Sequence, residues 1–192
     1  DLHKFTKKIE SHRLSIDPVA IKKGLVSLKH RHLRSRLLES PPYIKYDPFG
    51  TKTGRLTTKK DSFPILTLAK EHRKIVKPNN QWFVEFDFNA AELRTLLGLC
   101  EKEQPKQDIH DWNVKNIYKN QTTRDLAKQR VFAWLYNPKA KDNKLNSVYD
   151  RDLVLKKYYD GTRVRTFFDR TIPADDHHAL NYIVQSTTSD LF

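Results

Sequence analysis

Four side chains recur at every fourth position of one short segment, and their chemistry suits a nucleotide. The segment reads TRDLAKQRVFAWLYN, and the residues are Arg124, Lys128, Phe132 and Tyr136. Positions i and i+4 lie on one face of an α-helix, and each further step of four drifts by only about 40°, so all four share one broad stripe. The two cations suit phosphates, and the two rings suit a sugar and a base. The alternative is a solvated basic helix with two rings in the core.

The composition indicates a polyanionic partner. The 192 residues include 36 Lys and Arg against 23 Asp and Glu, which gives a net charge of +13 and a pI near 9.7. This balance is typical of nucleic-acid-binding proteins, although a merely soluble basic protein is the alternative. Hydrophobic residues make up 38% of the chain, which is enough for a core. No apolar run has the length of a membrane span and no signal peptide is visible, so we expect a cytoplasmic protein, in a host cell if it comes from a phage.

Two further counts limit the chemistry. The single cysteine, Cys100, excludes an internal disulfide framework and a multi-cysteine zinc site. It lies in the apolar segment LRTLLGLC, so we expect a buried, inert thiol. The chain contains no methionine, so we do not expect Asp1 to be a natural start. We expect the chain to be either an internal piece of a longer polypeptide or a shortened form of one.

The predicted elements alternate between helices and short extended segments. Leucines at near-helical spacing predict a helix over 25–40 that ends at Pro41. The β-branched and aromatic segment WFVEFDF, at 82–88, predicts a core strand, and a helix follows it at once. Thr123 can cap the helix that carries the stripe. The other predictions are a helix that opens at Asp108, a polar and mobile segment over 137–147, a helix over 148–160, a strand in TRVRTFFD and a last helix over 174–192.

Two carboxylates lie near the junction between the predicted strand at 82–88 and the helix that directly follows it. Asp87 ends the strand, and a carboxylate there is a common way to present an oxygen ligand to Mg²⁺. The alternative is that Asp87 caps the helix. Glu92 lies inside the helix, where a lone glutamate is normally a surface residue.

These segments resemble the motifs of the family A DNA polymerases, the bacterial polymerase I type. VEFDFNAAELRTLLGL resembles motif A, roughly DYSQIELR, and the helix with the stripe resembles motif B, RxxxKxxxFxxxYG. Three more segments match in the same order as in the family. They are TGRLTT at 53–58, which resembles TGRLSS, then Asp-Ile-His at 108–110 and NYIVQ at 181–185. The short stretch between motif B and NYIVQ implies a compact, phage-like member.

The resemblance implies an α+β fold, the polymerase right hand, with an antiparallel palm sheet and mostly helical fingers. Residues 1–50 would be a palm-entry or thumb-proximal segment, and 51–100 the palm with motif A. Residues 101–160 would form the fingers with motif B, and 161–192 would return to the palm.

The implied activity is that of a nucleotidyltransferase in DNA replication, which copies a primer–template DNA. A primer 3′-oxygen attacks the α-phosphate of a dNTP with the help of two Mg²⁺ ions, and pyrophosphate leaves. Asp87 matches the motif A metal ligand, and the backbone carbonyl of Phe88 would be a second contact. The second carboxylate of the family lies in motif C, a His-Asp-Glu segment downstream of NYIVQ. The chain ends at Phe192 before such a segment, so we expect this piece alone to be inactive.

The resemblance also implies roles for the side chains around the dNTP. His110, Arg124 and Lys128 match residues that hold the triphosphate, and Lys128 also matches a proton donor to the leaving pyrophosphate. Glu92 matches the residue that closes the space beside the sugar 2′ position. Tyr136 matches the ring that pairs with this glutamate, and the other ring of the stripe, Phe132, matches one that packs on the sugar.

The remaining matches concern DNA. Arg55, Asn181 and Gln185 match residues that contact primer or template in the minor groove, where every base pair presents acceptors, so such contacts test pair shape rather than sequence. Several positions depart from the family pattern without changing the chemistry: Val131, Ala133, Asn137, His177 and Ser186. Two alternatives are a catalytically silent basic nucleic-acid-binding module and a single-subunit RNA polymerase. Asp87 argues against the first and Glu92 against the second.

Overall fold

The described residues, 2–17, 20 and 28–191 of a computed structural model, belong to two units. The first unit is built from the described residues within 1–51 and from 56–86, and the second from 52–55 and 87–191. The fold is mixed α+β. Among the described residues the strands form three two-stranded antiparallel ladders, so a larger palm sheet is not seen in this part of the chain.

Within its described residues, the first unit combines two helices with two short ladders. Its helices are α1 (Leu2–Glu10) and α2 (Leu28–Glu39), and two 3₁₀ turns follow at Ile65–Thr67 and Lys70–Ile75. Strand β1 (Ser15–Ile16) pairs with β4 (Val76–Lys77), and β2 (Tyr46–Asp47) pairs with β3 (Thr57–Thr58). A small core holds the unit together; it consists of Leu37, Phe63, Leu68 and Ile75. Helix α2 confirms the helix predicted over 25–40, whose first residues lie outside the described part.

The second unit contains six helices and one hairpin within its described residues. The helices are α3 (Ala91–Leu99), α4 (Ile109–Asn116), α5 (Arg124–Tyr136), α6 (Asn143–Tyr149), α7 (Arg151–Tyr158) and α8 (Ala179–Leu191). Strands β5 (Arg163–Arg165) and β6 (Thr171–Pro173) form the hairpin, which confirms the strand predicted in TRVRTFFD.

Helix α8 lies at the centre of this unit and packs against α3, α5 and α7. Leu93, Leu96 and Ile183 are completely buried in its core, and each such side chain contributes about 1.5–3 kcal/mol by leaving water. Cys100 is also buried, as predicted, and this burial raises the pKa of its thiol to about 11. None of the helices in the described ranges is long and apolar enough to cross a bilayer.

The core strand predicted over 82–88 is wrong. This segment forms no ladder, and Trp82 and Phe86 are 76% and 90% exposed. A strand becomes stable when a neighbour accepts its N–H groups and covers its side chains, and no described strand pairs with this one. Its β-branched and aromatic composition predicts an extended backbone but cannot supply the partner.

The prediction of a mobile segment over 137–147 is also wrong in part. Helix α6 begins inside it at Asn143, because the Asp142 carboxylate accepts from the Leu145 N–H at 3.0 Å and Leu145 is buried. The helix predicted over 148–160 is interrupted at Asp150, whose backbone is left-handed with φ +37°. The Asp150 carboxylate then caps α7 by accepting from the Leu153 N–H at 3.1 Å.

Candidate functional site

Helix α5 presents the predicted stripe at the edge of the core. The helix begins after Thr123, whose hydroxyl accepts from the Leu126 N–H at 3.4 Å, as the sequence predicts. Its inward face consists of Ala127, Val131, Trp134 and Leu135, all of them buried. The stripe therefore lies beside this face rather than within it. Its two rings are half-buried, and its two cations are exposed.

Three of the four side chains of the stripe, Lys128, Phe132 and Tyr136, lie next to one another in sequence order. The rings of Phe132 and Tyr136 stack with centroids 5.8 Å apart and planes within 3°. The Lys128 Nζ atom lies 6.0 Å from the centroid of the Phe132 ring, a distance compatible with a weak cation–π contact. The helix thus carries a cation and two parallel aromatic rings along one line.

His110 joins the stripe from α4. Its ring centroid is 6.0 Å from that of Phe132, and the residue is only 4% exposed. Burial lowers the pKa of His110, and the nearby Arg124 and Lys128 lower it further, while Asp108 and Asp111 oppose them. The imidazole is therefore neutral near pH 7. Its Nδ1 atom is buried with no hydrogen-bond partner among the described residues, so the hydrogen-bonding capacity of this nitrogen is unsatisfied there.

Arg124 is held by Asp108, a contact that the sequence interpretation missed. The Arg124 guanidinium donates to the two Asp108 oxygens, from Nε at 3.2 Å and from Nη2 at 2.8 Å. Asp108 also caps α4 by accepting from the N–H groups of His110 and Asp111, and it accepts from Asn89 Nδ2 at 2.7 Å. Any phosphate that Arg124 binds must share the guanidinium with this carboxylate. The sequence offered one sign of this contact, namely that Asp108 is a helix-capping residue that precedes the predicted phosphate ligands His110 and Arg124.

The Asp108–Arg124 contact predicts a pH-dependent stability. Hydrogen bonds from Arg124 hold the pKa of Asp108 well below its usual range, with further help from Asn89. The stabilisation is therefore complete above the unfolded-state pKa, about 3.9, and is lost as the pH falls through the lower folded-state value. Asp108→Asn should lower the free energy of unfolding by about 1 kcal/mol at pH 7, because the charge-assisted hydrogen bonds disappear. The deficit should shrink at pH 3, as urea denaturation would show.

Asp111→Asn is the matched control for this change. Asp111 lies 3.6 Å from the Arg124 Nε atom, but its side chain is exposed and does not cap α4. Its replacement should change stability by a few tenths of a kcal/mol at both pH values. Equal losses in the two variants would mean that Asp108 acts only as one more surface charge.

Glu92 lies at the other end of the stripe. The Tyr136 hydroxyl donates to Glu92 Oε2, and the Arg55 Nη1 atom lies 3.9 Å from Glu92 Oε1. Burial raises the pKa of Glu92, while the charge of Arg55 opposes the rise. The structure thus brings together three residues that the sequence interpretation took from three separate segments.

The two predicted DNA contacts on α8 lie one helical turn apart. Thr53, which is buried, donates from its hydroxyl to Gln185 Oε1 at 3.4 Å, so the 53–55 turn contacts the last helix directly. The Asn181 Oδ1 atom is buried and has no hydrogen-bond partner in the described part of the chain. Gln185, one of the two predicted DNA contacts, therefore contacts the turn that carries Arg55.

Asp87 and Phe88 lie just before α3, and both side chains are exposed. Asp87 is not joined to the other predicted site residues by a hydrogen bond or ion pair within the described ranges. Across those ranges, no group of three or more His, Cys, Asp or Glu side chains is placed to hold a metal. A carboxylate and a backbone carbonyl are the hard oxygen donors that Mg²⁺ prefers, so the donor types fit but supply only part of a ligand set.

Two comparisons with known proteins gave no match. No model of a known family matches the chain, and no curated protein matches it significantly. Its function must therefore be inferred from these residues and their geometry.

Proposed function

We propose that this chain is the palm and fingers part of a family A DNA polymerase, which transfers a deoxynucleotide from a dNTP to a primer 3′-hydroxyl. The main support is the contact of Tyr136 on α5 with Glu92 on α3, together with Arg55 beside the same carboxylate. These residues come from three segments whose motifs follow the order of that family. An ordinary basic surface helix gives no reason to place a tyrosine hydroxyl on a half-buried glutamate.

The phosphate end of the proposed pocket works by charge and position. Lys128 and Arg124 offer two cations, and neutral His110 can hydrogen-bond without adding a charge. Phosphoryl transfer depends mostly on such preorganised electrostatic stabilisation. Lys128 is exposed and lies one helical turn after Arg124, where it can also give a proton to the leaving pyrophosphate. Arg124 must either weaken its hydrogen bonds to Asp108 or bind the phosphate and this carboxylate at the same time.

The reaction also requires a metal, for which this chain offers part of the ligand set. Asp87 and the carbonyl of Phe88 would hold Mg²⁺, which when bound polarises the reacting phosphate and lowers the pKa of the attacking hydroxyl. The second carboxylate of the proposed site would belong to a motif C segment, which is not among residues 1–192. The activity is therefore proposed for a polypeptide that contains both.

The sugar end of the pocket should exclude ribonucleotides, and Glu92 is the residue that does so. Glu92→Ala should lower discrimination against ribonucleotides by about 10–200-fold, because the space beside the 2′ position opens. Efficiency with dNTPs should also fall, since the Tyr136 hydroxyl loses its acceptor. Primer extension with dNTPs and rNTPs in parallel measures both effects.

Tyr136→Phe is the control that separates bulk from hydrogen bonding. It removes the hydroxyl but keeps the Glu92 carboxylate and the stacking on Phe132. It should reduce dNTP efficiency and preserve most of the discrimination. If Glu92→Ala rejects ribonucleotides as wild type does, Glu92 does not line the sugar pocket and the motif alignment is misplaced.

The chain itself can be tested for DNA binding. Its net charge of +13 should make binding to primer–template DNA strongly salt-dependent. We expect affinity to fall about 100-fold or more between 50 and 200 mM salt, which corresponds to about four phosphate contacts. Fluorescence anisotropy at several salt concentrations measures the slope. A flat slope would contradict a phosphate-tracking surface.

Gln185→Ala is a useful companion in the same titration. It removes a predicted minor-groove contact without removing a charge. It should therefore weaken binding but leave the salt slope as it is. A changed slope would mean that Gln185 acts on the phosphate-binding surface, either directly or by holding the Thr53 turn that carries Arg55.

A further inference from the structure

Arg170 joins the β5–β6 hairpin to the last helix at a point outside the proposed nucleotide pocket. It directly precedes β6, and its side chain is mostly buried. Its Nη2 atom forms an ion pair with Asp190 on α8 and donates to the backbone oxygen of Ser186 at 3.4 Å. The guanidinium is thus fixed at two points one turn apart on α8.

Gly54 lies directly against this guanidinium. Its backbone is left-handed with φ +79°, and a Cβ atom there would lie 2.4 Å from Arg170 Nη1 and 2.7 Å from Nη2. Both distances are shorter than real Cβ contacts, so a side chain at position 54 would require either the Arg170 guanidinium or the turn to shift. A glycine therefore serves two purposes, because it permits the left-handed turn and lets the turn lie under Arg170.

The residues on either side of Gly54 connect this contact to the site. Thr53 donates to Gln185 of α8, and Arg55 places its Nη1 atom 3.9 Å from the Glu92 carboxylate. The turn is therefore held on its α8 side by Thr53 and Gly54, and its next residue reaches the sugar end of the pocket. A shift of the turn would move the backbone that carries the Arg55 side chain.

We propose that Arg170 is a positioning residue, which holds the 53–55 turn on α8 and thereby keeps Arg55 beside Glu92. A lysine would not replace it, because it has no second nitrogen to lie against Gly54 while the first binds Asp190 and Ser186. The value of this arrangement for DNA synthesis rests on the proposed function. The arrangement itself can be tested without it.

The titration of the Glu92 carboxyl reports the position of Arg55. In the wild type, burial raises the pKa of Glu92 and Arg55 opposes the rise, while the Tyr136 hydroxyl faces the same carboxylate. Removing the Arg55 charge must therefore move the titration upward. We expect an upward shift in Arg170→Ala and in Gly54→Ala, measured by ¹³C NMR on the full chain with labelled glutamate.

Two matched controls separate positioning from general damage. Gly161 also has a left-handed backbone, with φ +96°, but a Cβ atom there meets no described atom within 4 Å, so Gly161→Ala carries the strain without the collision. Arg165 belongs to the same hairpin and pairs with Asp169 on the surface, so Arg165→Ala removes an arginine that does not touch the turn. Both controls should keep the wild-type titration of Glu92.

The outcomes decide the proposal. An unchanged Glu92 titration in folded Arg170→Ala would overturn it, as would an equal shift in either control. If Arg170→Ala does not fold, the comparison of Gly54→Ala with Gly161→Ala decides alone. Because the measurement requires neither DNA nor nucleotide, a failure of the proposed polymerase activity would leave its result interpretable.

Discussion

Replacing Asp87 by asparagine should lower DNA synthesis by about 10³-fold or more in the proposed polymerase. Asparagine keeps the shape of the side chain but removes the negative charge that a hard cation requires. A catalytic metal supplies several kcal/mol of charge stabilisation, and about 4 kcal/mol corresponds to a factor of about 10³ in rate. Single-turnover incorporation of one dNTP measures the loss.

DNA binding should survive the same substitution. Asp87 is exposed and forms no hydrogen bond or ion pair in the described structure that the fold would lose. Its negative charge repels phosphate, so its removal should leave primer–template affinity unchanged or slightly higher. Asp152→Asn, which removes an exposed carboxylate from α7, should leave both synthesis and binding at the wild-type level. A parallel loss of binding and synthesis in Asp87→Asn would instead indicate a structural role.

Lys128→Ala should slow nucleotide incorporation by roughly 10²–10³-fold, the usual effect of removing one preorganised charge contact. Arg124→Ala should act differently and mainly weaken dNTP binding. The structure adds a second consequence for Arg124, because its loss leaves the Asp108 carboxylate near the site without its main partner. Pre-steady-state incorporation at several dNTP concentrations separates the maximal rate from the apparent dissociation constant.

Arg130 provides the control for both cations. It lies on the same helix but off the stripe, and its guanidinium stacks on the Tyr118 ring at 5.5 Å. Arg130→Ala should therefore change neither the maximal rate nor the dNTP affinity beyond about twofold, because it removes a cation without touching the stripe. If Lys128→Ala and Arg124→Ala copy DNA as Arg130→Ala does, α5 does not bind the triphosphate.

The sequence could predict those features whose causes are local. Helix α5 begins after its predicted Thr123 cap, and Asp108 caps α4 at the residue where that helix was predicted to open. The helical period also predicts which side chains of α5 share a face. The pairing of Tyr136 with Glu92 was implied only by the family resemblance, since 44 residues separate them along the chain.

Features that depend on distant partners could not be predicted in this way. The segment 82–88 has the composition of a strand but lies exposed, because a strand also requires a neighbour to pair with. The Arg124–Asp108 contact and the position of Arg170 over Gly54 each join segments that no local rule connects. The TGRLTT segment alone gives no sign of this contact, because the guanidinium that lies against Gly54 belongs to a hairpin more than 100 residues later.

The most direct test of the proposed function is primer extension on templates that differ only in the next base. The polypeptide tested should contain these residues together with the second carboxylate. We expect Mg²⁺-dependent addition of the complementary dNTP on each template, with the chosen dNTP changing whenever the template base changes. Salt-dependent DNA binding without any template-directed addition would contradict DNA synthesis and favour a silent binding module. Preferred addition of ribonucleotides would contradict it as well and favour an RNA polymerase.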